Sequence, residues 1–392
     1  MHSYSGSPYS RRDFLISSLA GVLAGTKTLR AANSLGARAQ AISSAGTPGQ
    51  FEIQKIAVDV YFALARPWAL PNSNSTIFVN SSDVLVVDAQ SHPAAAAALI
   101  AQIKKEVTPK PVRWLVNTHF HWDHTQGNRA YITGGKKANI VASDTTKHLM
   151  SQLLIPRLRS ALDPASPGPR GSQQVARQIE DLRSQLGTAT AEEEPLLERI
   201  AQLESFATEM KAFEPALPTM TFDKSYVIRE KGYDLHLEFH GYGHTAGDIV
   251  VFCPQKRIVV TGDAHHPGFP GFIDSYPQLW SKQVDSILNL QFDHILPGHG
   301  RVEHDRRGMI GRRNYIEELT ERVIAGKKAG QSVPDLQRSI TAASLNSLRA
   351  QAFVPDTNPD TIESGIKNCI DNMYDRVEKV SFTGTEPMRL RT

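Results

Sequence analysis

Within six residues, His119-Phe120-His121-Trp122-Asp123-His124 offers four side chains able to bind a metal, directly after the apolar run 112–116. His119 and His121 are two apart, so at the end of an extended segment their imidazoles project to the same side and can share one cation. Asp123 and His124 follow where the chain turns into a helix, and they point elsewhere. That geometry suits a second cation beside the first. Imidazole with carboxylate and no thiolate favours zinc, while iron or manganese would accept the same ligands. The two cysteines, Cys253 and Cys369, are far apart and form no metal-ligand spacing, so both are read as buried thiols.

Three further motifs each place a ligand type in a tight turn beside a strand. Gly243-His244-Thr245-Ala246-Gly247-Asp248 precedes the strand expected at 249–252, and its glycines let a histidine approach something closely. Thr261-Gly262-Asp263-Ala264 follows a strand at 257–260, where a carboxylate can bridge two cations. Pro297-Gly298-His299-Gly300 follows a short strand at 294–296. Each motif is weak alone; their order after the histidine cluster is specific.

Together these motifs resemble the metallo-β-lactamase superfamily over roughly residues 51–302. The resemblance implies an α/β fold, an αββα sandwich with a binuclear metal site at one edge between two sheets. Carried over, His119, His121 and His244 would hold the first metal; Asp123, His124 and His299 the second; and Asp263 would bridge them. Asp88, ending an apolar strand as Val86-Val87-Asp88, matches the superfamily's first motif and would brace the ligand loop. The flavodiiron branch has Glu where His121 stands, which favours zinc over an oxygen-activating di-iron centre. The β-lactamases of the superfamily lack an aspartate at the position of Asp263. That points toward the branch of glyoxalase II, the lactonases and the cyclase-like hydrolases, whose L-P-T-x-T-F-D connector is similar to residues 217–223 here.

The implied chemistry is hydrolysis with two zinc ions. A hydroxide bridging cations roughly 3.5 to 4 Å apart attacks the carbonyl of an ester, thioester, lactone or lactam, and no protein nucleophile is needed. Asp123 would be a ligand that also orients the hydroxide. His265, His266 and Trp68 are candidate substrate contacts, whereas His236 faces solvent on an alternating strand and His240 is structural. The competing expectations are a metal-binding accessory protein of a periplasmic redox pathway, a β-lactamase proper, and a phosphodiesterase of the ribonuclease Z type.

The resemblance implies a small-molecule substrate, and composition recommends no other partner. The 392 residues are 40% hydrophobic, enough to bury a full core. The net charge of +3 arises mainly in the first 39 residues: removing Arg11, Arg12, Lys27, Arg30, Arg38 and Asp13 leaves 38 basic against 39 acidic side chains. Nothing in that balance recommends a nucleic acid. Ser10-Arg11-Arg12-Asp13-Phe14-Leu15 resembles a twin-arginine export signal, with a short apolar stretch behind it and Ala37-Arg38-Ala39 as cleavage site. The stretch is too short and too rich in Gly, Ala and Ser for a permanent span. The mature protein is expected in the periplasm or secreted.

The elements that must position these ligands alternate between strand and helix. Residues 1–39 read as the signal peptide, 40–50 as a linker, 51–302 as the metallo-β-lactamase domain and 303–392 as a C-terminal helical extension. Strands are expected at 56–62, 76–80, 84–88, 112–116, 138–142, 225–229 and 233–240, with helices at 93–107 and 277–290. Apolar residues at steps of 3 and 4 in 172–186 and 192–213 predict a helical hairpin inserted over about 144–213. It reads as surface decoration, a lid, or the arm of a homodimer. The pairs Arg306-Arg307 and Arg312-Arg313 read as a solvated helix start.

Overall fold

A computed structural model describes residues 50–67, 72–133, 137–162, 172–186, 193–350 and 353–377. The export segment, most of the linker, Trp68 and the turn expected at 187–190 lie outside these described residues.

The first sheet begins with β1 (Phe51–Ala57), β2 (Val60–Ala65), β3 (Ser75–Val79) and β4 (Val84–Val87), all antiparallel. After α1 (Pro93–Glu106) the chain enters β5 (Val112–Val116), parallel to β4. Short helices α2 (Trp122–Thr125) and α3 (Asn128–Ile132) lead to β6 (Asn139–Ser143). The insertion follows as α4 (Asp144–Leu149), a π-turn (Met150–Leu154), α5 (Ile155–Leu162), α6 (Ser172–Leu186) and α7 (Glu193–Met210). β7 (Met220–Phe222) then closes a seven-stranded sheet in sequential order. β8 (Ser225–Glu230), β9 (Tyr233–Phe239), β10 (Ile249–Cys253) and β11 (Ile258–Gly262) form the second sheet. Helix α8 (Pro277–Leu288) links it to its fifth strand, β12 (His294–Pro297), which lies parallel to β11. The C-terminal region is α9 (Arg307–Lys328), α10 (Val333–Ser339), α11 (Asn346–Ala350) and α12 (Pro359–Tyr374).

Continuous apolar strands have this layering because successive residues face opposite ways. In β4, Leu85 and Val87 join the core between the sheets, where they meet Leu237, Val251 and Val260. Val84 and Val86 point the other way, onto Leu99 and Ile103 of α1. On the far side, Val250, Val259 and Ile295 pack against Trp280 and Ile287 of α8 and Tyr315 and Leu319 of α9. Two sheets between two helical layers make the αββα sandwich. Helix α9 and the helices behind it share the outer core of the second sheet. Both cysteines are buried and neither forms a disulfide, and no helix among the described residues is long and apolar enough to cross a membrane.

Two sequence expectations are corrected and one is met. The single strand at 56–62 is a hairpin: the chain reverses at Val58-Asp59, with Asp59 in the left-handed region at φ 61°. Asp tolerates that conformation, so no glycine marks the turn. The hairpin α6–α7 does form, and its core joins Val175 and Ile179 of α6 to Ile200 and Leu203 of α7 and Leu158 of α5. The front of the expected insertion, 144–162, is helical too, with a π-turn breaking its 3.6-residue repeat. Finally, of the basic pairs only Arg307 is a solvated helix start. Arg312 is buried, Arg306 donates to the carbonyls of Leu288 and Leu290, and Arg313 pairs with Asp285 and Glu317.

The insertion is fastened at both ends. Ser143 caps α4 by accepting from Thr146 N, and the hydroxyls of Ser143 and Thr146 both donate to the Gly247 carbonyl, at 2.9 Å each. At the other end, His92 gives α1 no side-chain cap. Glu209 of α7 supplies one, accepting from Ala94 N at 2.7 Å and pairing with His92 Nδ1 at 2.7 Å.

Candidate metal centre

Strand β5, buried at its C-terminal end by Leu115 and Val116, delivers the cluster, and the loop after it is braced from below. Asp88, in the left-handed region at φ 67°, accepts from Thr118 N at 2.8 Å and from the Thr118 hydroxyl. Asn117 and Asn128 exchange amide hydrogen bonds at 2.9 and 2.8 Å, tying the loop to α3. Phe120 and Trp122 are buried with Leu149, Met150 and Leu154 of the insertion. The apolar residues of the cluster thus anchor it while the polar ones turn inward.

The structure brings all seven expected ligands together. Three groups have donor atoms within 4.8 Å of one another: His119, His121 and His244; His119, His124 and Asp263; and Asp123, His124 and His299. His121 Nδ1 lies 2.8 Å from His244 Nε2. On the other side, His299 Nε2 lies 3.0 Å from Asp123 Oδ2 and 3.3 Å from His124 Nε2. Asp263 divides its oxygens between the two sides. Its Oδ2 is 3.6 Å from His244 Nε2, and its Oδ1 is 3.6 Å from both His124 Nε2 and His299 Nε2.

Hydrogen bonds behind the rings fix which nitrogen faces inward. His124 Nδ1 donates to Asp88 Oδ2 at 2.8 Å, leaving the Nε2 lone pair for the centre. The Thr118 hydroxyl gives its proton to Asp88 and accepts from His119 Nδ1 at 3.0 Å. His119 Nε2 is therefore a lone pair as well, buried and without a hydrogen-bond partner. His121 is reversed: Nε2 donates to Asp274 Oδ2 at 3.1 Å, and Nδ1 faces inward. A set of converging imidazole lone pairs with two carboxylates fits cations and little else.

The electrostatics agree. Burial, with the charges of His124 and His121, pushes the His119 pKa well below its ordinary value and keeps it a neutral donor. Burial opposes a charge on His124 too, but Asp123, Asp88 and Asp263 outweigh it and pull that pKa up to about 9. Burial likewise opposes the charge on Asp123. There the positive His124 and the His299 hydrogen bond prevail and hold the carboxyl well below the carboxylate range. The pocket calls for positive charge where Asp123, His124 and Asp263 meet.

Close packing explains the glycine at 298. A Cβ there would lie 2.6 Å from Asp263 Oδ1 and 2.8 Å from His124 Cε1.

The candidate substrate contacts are placed as follows. His265 is buried and pairs through Nε2 with Glu303. His266 sits closer to the centre, its Nε2 4.0 Å from Asp263 Oδ2 and its ring centroid 5.6 Å from that of His299. Its Nδ1 donates to the Pro267 carbonyl at 2.7 Å, so Nε2 accepts from Arg312 at 3.1 Å. Trp68 lies outside the described residues. His236 is partly exposed, and His240 bonds Ser286 and Glu238.

Sequence reasoning missed Asp274. Its buried carboxylate touches His121 and receives Arg157 through two bonds, Nη1 to Oδ2 at 2.8 Å and Nη2 to Oδ1 at 2.9 Å. Arg376 adds a third, Nη2 to Oδ1 at 3.2 Å. Burial opposes that charge, but His121 and Arg157 hold the carboxyl far below the carboxylate range. No motif surrounds Asp274, and its partners lie more than a hundred residues away.

A family model described as the metallo-beta-lactamase superfamily matches residues 69–299. A metallo-beta-lactamase type 2 from Bacillus sp. (strain 170) is 23% identical over 238 residues, covering 59% of this chain and 67% of its own. Among solved structures, a metallo-beta-lactamase from Pontibacter korlensis aligns at 18% identity, over 65% of this chain and 94% of its own, with a TM-score of 0.46. Another, from Hirschia baltica, aligns at 19% identity, over 68% and 97%, with the same TM-score of 0.46.

Proposed function

The chain belongs to the metallo-beta-lactamase superfamily, and from that premise we propose that it is an exported binuclear zinc hydrolase acting on a carbonyl substrate: an ester, thioester, lactone or lactam. The observation that carries this reading is the division of Asp263, with one carboxylate oxygen toward His244 and the other toward His124 and His299. A carboxylate so placed can hold two cations side by side. When bound, two zinc ions supply the Lewis acidity that brings the pKa of a water from about 15.7 toward about 7 and polarises the carbonyl.

The protein's own residues then have separable tasks. His119, His121 and His244 hold one cation, and Asp123, His124 and His299 the other. Asp88 and Thr118 keep the His119 and His124 rings in the tautomers that present Nε2. Asp123 keeps one oxygen on the His299 side and has a second with which to orient the attacking water. The buried wall of Phe120, Trp122, Leu149 and Met150 limits water around the first ligand set and strengthens its charge interactions.

A lactamase reading has its own support in the name of the Bacillus relative. Against it stands Asp263, an oxygen ligand where the superfamily's β-lactamases have no aspartate. We therefore favour the branch of glyoxalase II, the lactonases and the cyclase-like hydrolases, with the twin-arginine motif at 10–15 as the basis for placing the protein in the periplasm. The test is metal analysis of the purified protein together with a turnover panel of aryl esters, thioesters, lactones and a chromogenic lactam. Two zinc equivalents, with ester, thioester or lactone turnover exceeding lactam turnover, are expected. Fewer than two equivalents refutes the binuclear hydrolase, and lactam as the best substrate refutes the branch.

A further inference from the structure

Asp274 is the meeting point of three parts of the chain distant in sequence: the metal loop, the insertion and the C-terminal region. His121 donates Nε2–H to Oδ2 from the loop. Arg157, on α5 of the insertion, grips both carboxylate oxygens. Arg376, just after α12, donates to Oδ1 and also to the carbonyl of Ile273. Arg376 lies beyond the stretch 69–299 matched by the family model, and Arg157 sits on the helices inserted between β6 and β7. Neither belongs to the sandwich that forms the rest of the centre.

We propose that Arg157 and Arg376 are positioning residues for the first metal, acting through Asp274 on the His121 imidazole. The proposal rests on the binuclear reading of the site. A carboxylate with one imidazole as its only partner can rotate about its Cβ–Cγ bond. The parallel bonds from one guanidinium fix its plane. Arg376 ties the same carboxylate and the backbone beside it to the C-terminal helices. With the plane fixed, Oδ2 stays under His121 Nε2–H, and that bond keeps the ring in the tautomer whose Nδ1 faces His244 Nε2 at 2.8 Å. Partners behind a ligand ring act on metal binding through this kind of orientation.

Charge and orientation make opposite demands here, so the test has a sign. Asp274 pushes electron density onto the His121 ring and strengthens its bond to a cation, while the two guanidiniums withdraw part of that charge. If charge dominated, removing an arginine would tighten metal binding. The fork geometry argues that orientation dominates, so removal should weaken it.

Zinc affinity is measured by chelator competition on the full chain. A His299→Ala background leaves His119, His121 and His244 as the one intact three-histidine set. Arg157→Met and Arg376→Met are each expected to weaken zinc about 10- to 100-fold. Arg157→Lys, which keeps the charge and one bond but not the fork, should fall between Arg157→Met and the parent. Circular dichroism of each metal-free variant monitors folding. Should Arg157→Met not fold, Arg157→Lys and Arg376→Met decide the matter. Zinc constants within twofold of the parent, or tighter, in folded variants would overturn the proposal. Stoichiometry of the unaltered protein separates the two readings: fewer than two equivalents counts against the binuclear centre, whereas two equivalents with indifferent arginine variants count against the clamp alone.

Discussion

Asp88→Asn isolates one bond of the second metal set. Asn has nearly the same shape and also tolerates the left-handed backbone at φ 67°, so the substitution keeps the shape while it removes one negative charge beside His124 and turns an acceptor into a donor. Of the two amide orientations, one is enforced. Thr118 N donates to Asp88 Oδ1 at 2.8 Å, so the amide oxygen must stay there and the NH2 falls where Oδ2 was, 2.8 Å from His124 Nδ1. Two donors cannot face each other at that distance. His124 must carry its proton on Nε2, the atom directed at Asp123, Asp263 and His299. His119 is spared, because the Thr118 hydroxyl can still donate to the amide oxygen and accept from His119 Nδ1. The second metal should therefore lose about 10- to 100-fold in affinity, roughly 1.4 to 2.7 kcal/mol, while the first is held as before. Stepwise zinc titration against a chromophoric chelator resolves the two constants. An unchanged second constant would refute the tautomer argument; an equal fall in both, with the fold intact, would show that Asp88 acts on the loop as a whole.

Two further outcomes follow from the same geometry. In metal-free protein His124, raised to about 9 from 6.5, contributes stability that is fully present below pH 6.5 and lost as pH rises through about 9. Its contribution falls by up to about 3 kcal/mol over that window. His119, depressed in the folded state, instead withdraws stability as pH drops below 6.5, because the unfolded chain takes the proton first. Urea unfolding with chelator present should thus be hardest near pH 6.5, and zinc affinity should rise between pH 6.5 and 9; metal-free stability that climbs over the same range would contradict the assignment. Gly298→Ala sets a methyl 2.6 Å from Asp263 Oδ1, so the bridging carboxylate has to move. A shift approaching 1 Å is enough for about a 10²-fold fall in turnover, measured together with zinc stoichiometry; wild-type values for both would mean that the turn relaxes without disturbing Asp263.

The candidate ligands that converge were legible in the sequence and their supports were not, for a physical reason. Imidazoles two residues apart at a strand end, and a carboxylate or histidine held in a glycine turn, announce themselves because metal binding needs particular atoms at particular spacings. The supports need only one charge or one hydrogen bond, which ordinary residues supply from anywhere in the chain. Asp274 reaches His121 across 153 positions, Arg157 across 117 and Arg376 across 102, and none stands in a recognisable pattern. Arg312 misled in the opposite direction. Beside Arg313 at the start of a helix it reads as solvated, yet it is buried over the Trp280 ring and donates to His266. The strands behaved similarly. Runs such as β4 and β10 were evident from unbroken apolar character, whereas the β1–β2 hairpin was hidden because Asp59 makes the turn that a glycine would have advertised.

The additions to the sandwich also change meaning once their contacts are followed. A helical hairpin with its own core could hang from the surface without consequence. This one caps α1 through Glu209, begins by bonding the carbonyl of Gly247 in the His244 turn, packs Leu149 and Met150 on Phe120 and Trp122, and sends Arg157 to Asp274. Three of these contacts reach a ligand turn or the partner of a ligand: the His244 turn, the 119–124 loop and Asp274 beside His121. A centre whose seven candidate ligands all lie on the sandwich therefore has supports in segments outside it.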